Sequence, residues 1–159
     1  MIKVVVADTG PLIALARLEL LALPSALFQG VLLTPMVLSE CMAKPDKGEG
    51  ALIKAALDAG LFQLAEAPDA DPDWTIDAGE ASSIALAVEQ GIGVLIDDKA
   101  GRNLARHLDY PIIGTAGLLA LAKRKGHLAL VHPYLAALTE SGYFLGDDVV
   151  ASVLRLAGE

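Results

Sequence analysis

Cysteine is almost missing from this chain: Cys41 stands alone, so no internal disulfide can form and no oxidising compartment is suggested. No cationic stretch precedes the first apolar run, which argues against a secretory leader. Long apolar runs are missing too. Asp8, Arg17, Glu19 and Pro24 interrupt the stretch from Val4 to Phe28 before the roughly 20 apolar residues that a spanning helix needs. These absences predict a cytoplasmic chain with no membrane span.

A basic excess is also lacking. A net charge of −8 argues against a protein that coats nucleic acid, since Lys and Arg supply most of the non-specific affinity for phosphate. The deficit is uneven. Lys99, Arg102, Arg106, Lys123, Arg124 and Lys125 face only Asp109 within one stretch, a local charge of +5 that leaves −13 to the rest. That split predicts either one basic face beside an acidic pocket or two ordinary solvated helix surfaces. Aromatics make up 4% of a chain that is 54% hydrophobic, so aliphatic helix faces are plentiful and a homodimer or higher homo-oligomer is expected. With 159 residues and no internal repeat, one domain over residues 1–159 is the expectation.

Punctuation by glycine, proline and polar residues divides the chain into alternating elements. Lys3–Ala7 reads as a buried strand that ends at Asp8-Thr9-Gly10-Pro11. A helical apolar pattern over Leu12–Phe28 follows, then a strand at Val31–Leu33, then Thr34-Pro35 as N-cap and first residue of a helix that carries Glu40. Lys44–Gly50 is a polar connection, Ala51–Ala59 a helix, and Phe62–Ala65 a third strand or extended piece. The acidic stretch Glu66–Asp77 reads as a surface loop. Its Asp69, Asp71 and Asp73 lack the glycine and terminal glutamate of a calcium-binding loop.

Asp77-Ala78-Gly79-Glu80 opens a helix to about Gln90, Gly93–Ile96 is a strand stopping at Asp97-Asp98, and a helix near Gly101–Leu108 leads to a strand at Ile112–Ile113. Helices near Ala116–Lys125, Pro133–Glu140 and Asp147–Ala157 complete the chain. Such alternation predicts an α/β fold with a parallel sheet covered on both faces.

In such a sheet, ligands collect beyond the carboxyl ends of the strands. Asp8 and Asp97 lie at two of those ends, while Glu40 and Glu80 lie early on helices entered from the same side. Clustered carboxylates raise one another's pKa unless a cation joins them. An all-oxygen donor set suits Mg²⁺ or Mn²⁺, as one or two ions, and such a centre can orient water for in-line attack on a phosphodiester. Each acid also has a plainer reading. Asp77 and Glu80 have the spacing of a capping box, Asp8 suits a turn before Gly10, Asp97 or Asp98 can cap the next helix, and Glu40 suits the surface of an amphipathic helix. His107, His127 and His132 read as helix or turn residues rather than catalytic ones.

The ordered motifs Val4-Val5-Val6-Ala7-Asp8-Thr9-Gly10-Pro11-Leu12, Thr34-Pro35 with Glu40, Gly79-Glu80-Ala81 and Leu95-Ile96-Asp97-Asp98-Lys99 with Gly101-Arg102 resemble the PIN-domain superfamily. The likeness is closest to a prokaryotic branch related to VapC-type toxins, and it runs through Gly142-Tyr143-Phe144-Leu145 to the last helix. The resemblance implies a three-layer α/β/α sandwich with a central parallel sheet, extended by C-terminal helices over about 133–157. It also implies Mg²⁺- or Mn²⁺-dependent endoribonuclease activity, RNA as substrate, and pairing with an antitoxin and with a second copy. Carried over, the acids are Asp8, Glu40 and Asp97, with Glu80 standing where many members have aspartate. Asp98 is then a further candidate ligand, and Thr9, Lys99 and Arg102 are candidate substrate contacts, Arg102 being equally suited to an ion pair.

Two other classes remain. A PIN-fold module that binds RNA or protein without cutting suits the acidic charge and the longer Glu80 arm. A phosphoryl-transfer or receiver-like domain fits poorly, because Asp8-Thr9-Gly10 lacks a second aspartate two residues on and no Gly-rich phosphate loop occurs.

Overall fold

The computed structural model describes residues 3–43 and 48–159. Five strands form one sheet: β1 (Val4–Ala7), β2 (Gly30–Leu33), β3 (Gln63–Leu64), β4 (Gly93–Leu95) and β5 (Ile112–Ile113), in the order β3-β2-β1-β4-β5 with every pairing parallel. The helices among the described residues are α1 (Thr9–Arg17), α2 (Leu23–Leu27), α3 (Pro35–Ala43), α4 (Glu49–Asp58), α5 (Ala78–Gln90), α6 (Lys99–His107), α7 (Thr115–Arg124), α8 (His132–Glu140) and α9 (Asp147–Leu156). None of them is long and apolar enough to cross a membrane.

The β-branched run of β1 places it at the centre of the sheet. Side chains alternate across a strand, so a central parallel strand must be apolar on both faces. Val5 and Ala7 accordingly join one core with Val31, Leu33 and Leu95, beneath Leu12 and Leu15 of α1, Val37 of α3, Ile53 of α4 and Leu118 of α7. Leu135 of α8 and Val153 of α9 belong to this same core. Val6 faces the other way, where Leu32, Val94 and Ile96 pack with Ile84 and Leu86 of α5. The result is an α/β/α sandwich, and each fully buried valine or leucine contributes roughly 1.5–3 kcal/mol to holding the strand ends in place.

The chain departs from the single helix expected over Leu12–Phe28. α1 stops at Arg17, Glu19 takes a left-handed conformation (φ 58°), and the Leu20 N–H returns to the Leu15 carbonyl at 2.8 Å before α2 begins. Pro24 is the reason. Within a continuous helix it would leave the i−4 carbonyl unpaired and press its ring against it, whereas in the first turn of α2 it is tolerated. The connection read over Lys44–Gly50 falls partly on residues 44–47, outside the described residues, and α4 starts at Glu49, two residues earlier than its apolar pattern suggested.

The six basic residues do not form one face. Lys99, Arg102 and Arg106 lie on α6, but Lys123 and Arg124 close the far end of α7 and Lys125 is its C-cap, about 15 Å from Thr115 at 1.5 Å per residue. Lys123 is tied to the end of α9, donating to the Ala157 carbonyl at 2.7 Å and the Glu159 carboxylate at 2.9 Å.

Strand order decides where a pocket opens. β1, β2 and β3 proceed to one edge, and the chain then returns to lay β4 on the other side of β1. The loops after β1 and β4 therefore diverge to opposite faces and leave a crevice at the carboxyl edge between them.

Candidate functional site

That crevice is a pocket of about 480 Å³ lined by Asp8, Glu40, Asp77, Glu80, Asp97 and Asp98, with Thr9, Gly10, Lys99, Tyr143 and Phe144 completing its wall. The four acids singled out from the sequence thus share one cavity. Different elements aim each of them.

Asp8 follows β1 directly, and its backbone N–H continues the sheet by donating to the Leu95 carbonyl at 2.9 Å. It occupies the N-cap position of α1, yet its carboxylate makes no capping bond there. Ser83 of α5 donates to Oδ1 at 3.2 Å, and the Thr9 backbone N–H also bonds the carboxylate. The residue is only 4% exposed. Burial lifts its carboxyl to about 7, with the neighbouring Asp77 and Glu40 charges acting in the same direction.

Glu40 is carried by α3, whose start is set by Thr34: the hydroxyl accepts from the Val37 N–H at 3.1 Å and bonds Ser82 of α5 at 2.8 Å. Glu40 Oε2 accepts from the Thr9 hydroxyl at 2.8 Å, so Thr9 contacts a pocket acid. The same carboxylate lies against Gly79, where any Cβ would overlap it.

Glu80 resolves the capping question in two parts. Asp77 caps α5, accepting from the Glu80 N–H at 2.8 Å, whereas the Glu80 side chain turns into the pocket, 7% exposed. Burial, then its interactions with Asp77 and the charges of Asp98 and Asp8, push its carboxyl up to about 9. Gly101 of α6 lies in contact with it and leaves room for Ile96, which a Cβ there would strike.

Asp97 is the most firmly held acid. Its carboxylate accepts from the Thr115 N–H at 2.7 Å, the Thr115 hydroxyl at 2.5 Å and the Tyr143 hydroxyl at 2.5 Å. Gly10 makes the last bond feasible, since the Tyr143 hydroxyl lies where a Cβ at residue 10 would come within 3.0 Å. Burial first, and the Asp97 charge second, raise the Tyr143 phenol well above its ordinary range, so it stays protonated and donating.

Asp98 is the N-cap of α6, accepting from Ala100 N–H at 3.0 Å and Gly101 N–H at 3.3 Å, and it stands at the rim. Lys99 is exposed beside it. Arg102 sits one turn into α6 and donates to the Ile96 carbonyl at 3.0 Å, close enough to Asp97 to feel its charge, and it is not among the residues that line the pocket.

Ser83 and Thr115 were not singled out beforehand, and Tyr143 and Phe144 were named only within the family resemblance, without a role in the site. Ser83 carried a usable signal, lying three residues after Glu80 and so on the same helical face. Thr115 likewise follows a strand and opens a helix, as Thr9 does. Tyr143 and Phe144 come from the connection between α8 and α9, where no periodicity reveals direction.

Oxygen donors alone line the acidic wall, a chemistry that fits a hard divalent ion. Among the described residues no three acids, histidines or cysteines are gathered closely enough to hold an ion between them. The carboxylates are distributed around the cavity instead.

A family model described as a PIN domain matches residues 4–159. No curated protein matches the chain.

Proposed function

This chain belongs to the PIN-domain family, whose fold is of the nuclease type, and from that premise we propose that it is an endoribonuclease that hydrolyses RNA phosphodiesters with Mg²⁺ or Mn²⁺. One observation carries the reading: Asp8 and Asp97 end adjacent strands, and Glu40 and Glu80 join them from two helices in a single pocket. Asp8, Glu40, Glu80 and Asp97 are the residues we assign to hold one or two ions, with Asp98 at the rim. When bound, the ion supplies Lewis acidity toward a water and the scissile phosphate.

The chain's own groups perform the rest. Thr115 and Tyr143 fix the Asp97 carboxylate, Thr9 fixes Glu40 and Ser83 orients Asp8, so the acceptors need little rearrangement. Among the described residues Lys99 is the one cationic side chain on the wall, and it is placed to meet a phosphate at the rim. The direct test is cleavage of a labelled RNA in Mg²⁺ or Mn²⁺ against EDTA. Cleavage should require the ion, and equal cleavage in EDTA would overturn the reading.

Gly79→Ala offers a finer test. The added Cβ meets the end of the flexible Glu40 side chain, so Glu40 moves rather than the backbone. Loss of glycine from a helix favours stability by up to about 1 kcal/mol. We expect an unchanged or slightly raised melting temperature together with cleavage reduced about tenfold or more; unchanged kinetics would remove Glu40 from the site.

A second reading, a module that binds RNA or a partner without cutting, is favoured by the spread of the carboxylates. Calorimetric titration with Mn²⁺ separates the two, because only the nuclease reading needs a specific divalent site. As finer proposals resting on the family likeness, we assign the chain as a cytoplasmic, single-domain toxin with an antitoxin partner. Exposed Leu130 and Leu156 support self-association.

A further inference from the structure

Phe144 is 87% exposed, although the other two phenylalanines, Phe28 and Phe62, are buried and every remaining aromatic side chain is at least partly covered. Leaving a phenyl ring in water forfeits the stabilisation its burial would bring. Among the described residues the ring is also the only purely hydrocarbon side chain on the wall of the carboxylate pocket. Its position is set by neighbours: Gly142 turns the chain after α8 with φ 88°, and Tyr143 anchors the connection to Asp97. A six-residue segment, from Ser141 to Gly146, joins α8 to α9.

We propose that Phe144 is a stacking platform for one unpaired base of the nucleic acid whose phosphodiester enters the Asp8–Asp97 pocket. A base is a flat π-surface with a polar edge, so it can cover the ring while its edge and phosphate remain among the carboxylates, hydroxyls and Lys99. A protein partner would instead require a desolvated apolar surround, and the wall around Phe144 is charged. Within a duplex both faces of each base are already stacked. The site therefore selects single-stranded RNA, or a loop or end with a base free to turn out. This inference rests on the nuclease reading for the phosphate's position, and extends it to the base.

The test uses the full chain and a short fluorescein-labelled oligouridylate, with Ca²⁺ as the divalent ion, and reads anisotropy rather than turnover. Base stacking on one aromatic ring is ordinarily worth about tenfold or more in affinity. Phe144→Ala should lose about that factor, Phe144→Trp should retain affinity, and a blunt duplex should bind equally weakly to all three proteins. In a Trp74→Phe background, where residue 144 is the only tryptophan, Phe144→Trp emission should be quenched by the oligonucleotide. Unchanged affinity in Phe144→Ala overturns the proposal, as does a change in oligomeric mass without a change in affinity, which would make the ring a contact between copies. Absence of any binding by the parent chain overturns it too. Binding with quenching but no cleavage in Mn²⁺ or Mg²⁺ supports the platform and rejects the nuclease reading, so the two fail separately.

Discussion

Asp8→Asn should reduce RNA cleavage about a thousandfold and at the same time stabilise the metal-free protein at pH 8. The activity loss follows from removing one anionic acceptor from a divalent-ion pocket; several kcal/mol of transition-state stabilisation depend on such an ion, and about 1.4 kcal/mol corresponds to tenfold in rate. The stability gain follows from the same burial: a carboxyl lifted to about 7 is largely ionised at pH 8 with no cation beside it, and an amide removes that charge at nearly constant shape. Asp97→Asn should behave differently. Its carboxylate satisfies three donors from Thr115 and Tyr143, and an amide nitrogen would face at least one of them. We expect cleavage to fall as far, but with a loss of about 1–3 kcal/mol in stability, the usual cost of mismatched buried polar groups. Paired rate measurements and denaturant melts in EDTA read both effects. Cleavage surviving both substitutions would eliminate the carboxylate mechanism.

In EDTA, stability should decline as pH rises from about 5 to 9. The Asp8 carboxyl is raised from 3.8 to about 7 and that of Glu80 from 4.5 to about 9, both first by burial. Between each pair of values the folded chain binds more protons than the unfolded chain, so the contribution is fully present below about pH 4 and is lost progressively as pH climbs through the folded values. Both shifts act in the same direction, so the fall is cumulative and readable by scanning calorimetry. Mn²⁺ should oppose it, most strongly at pH 8 to 9 where it need not displace protons, and hardly at pH 5. Glu80→Gln should flatten the upper half of the curve. A midpoint that stays level in EDTA across this range would mean that neither acid is held as an uncompensated buried group.

Most of the fold was legible because its determinants are local. A β-branched run before Asp8-Thr9-Gly10, the Thr34-Pro35 start, the Asp77 cap and the apolar stretches at Val31 and Val94 each specify their element within a few residues. The break inside Leu12–Phe28 was the exception, since the apolar pattern continues through it and only Pro24 signals against a continuous helix. The pocket acids were legible by position, as residues just beyond strands or early in helices. Their partners were less so. Whether Glu80 caps its helix or faces the cavity is decided by packing between elements, as is the turn of Arg102 to the Ile96 carbonyl. Tyr143 reaches Asp97 from a connection with no repeating pattern, so only packing discloses it.

The pairing of β1 with β4 has a consequence for the chain as it is synthesised. Val5 lies beside Gly93, and Tyr143 adds the last bond to Asp97. A growing chain that has emerged only past Glu40 therefore carries two of the acids without any cavity to set them in, and the closure of so long a loop is the slow, non-local kind of folding step. The carboxylate pocket is thereby completed only after Tyr143 has left the ribosome, long after Asp8 and Glu40.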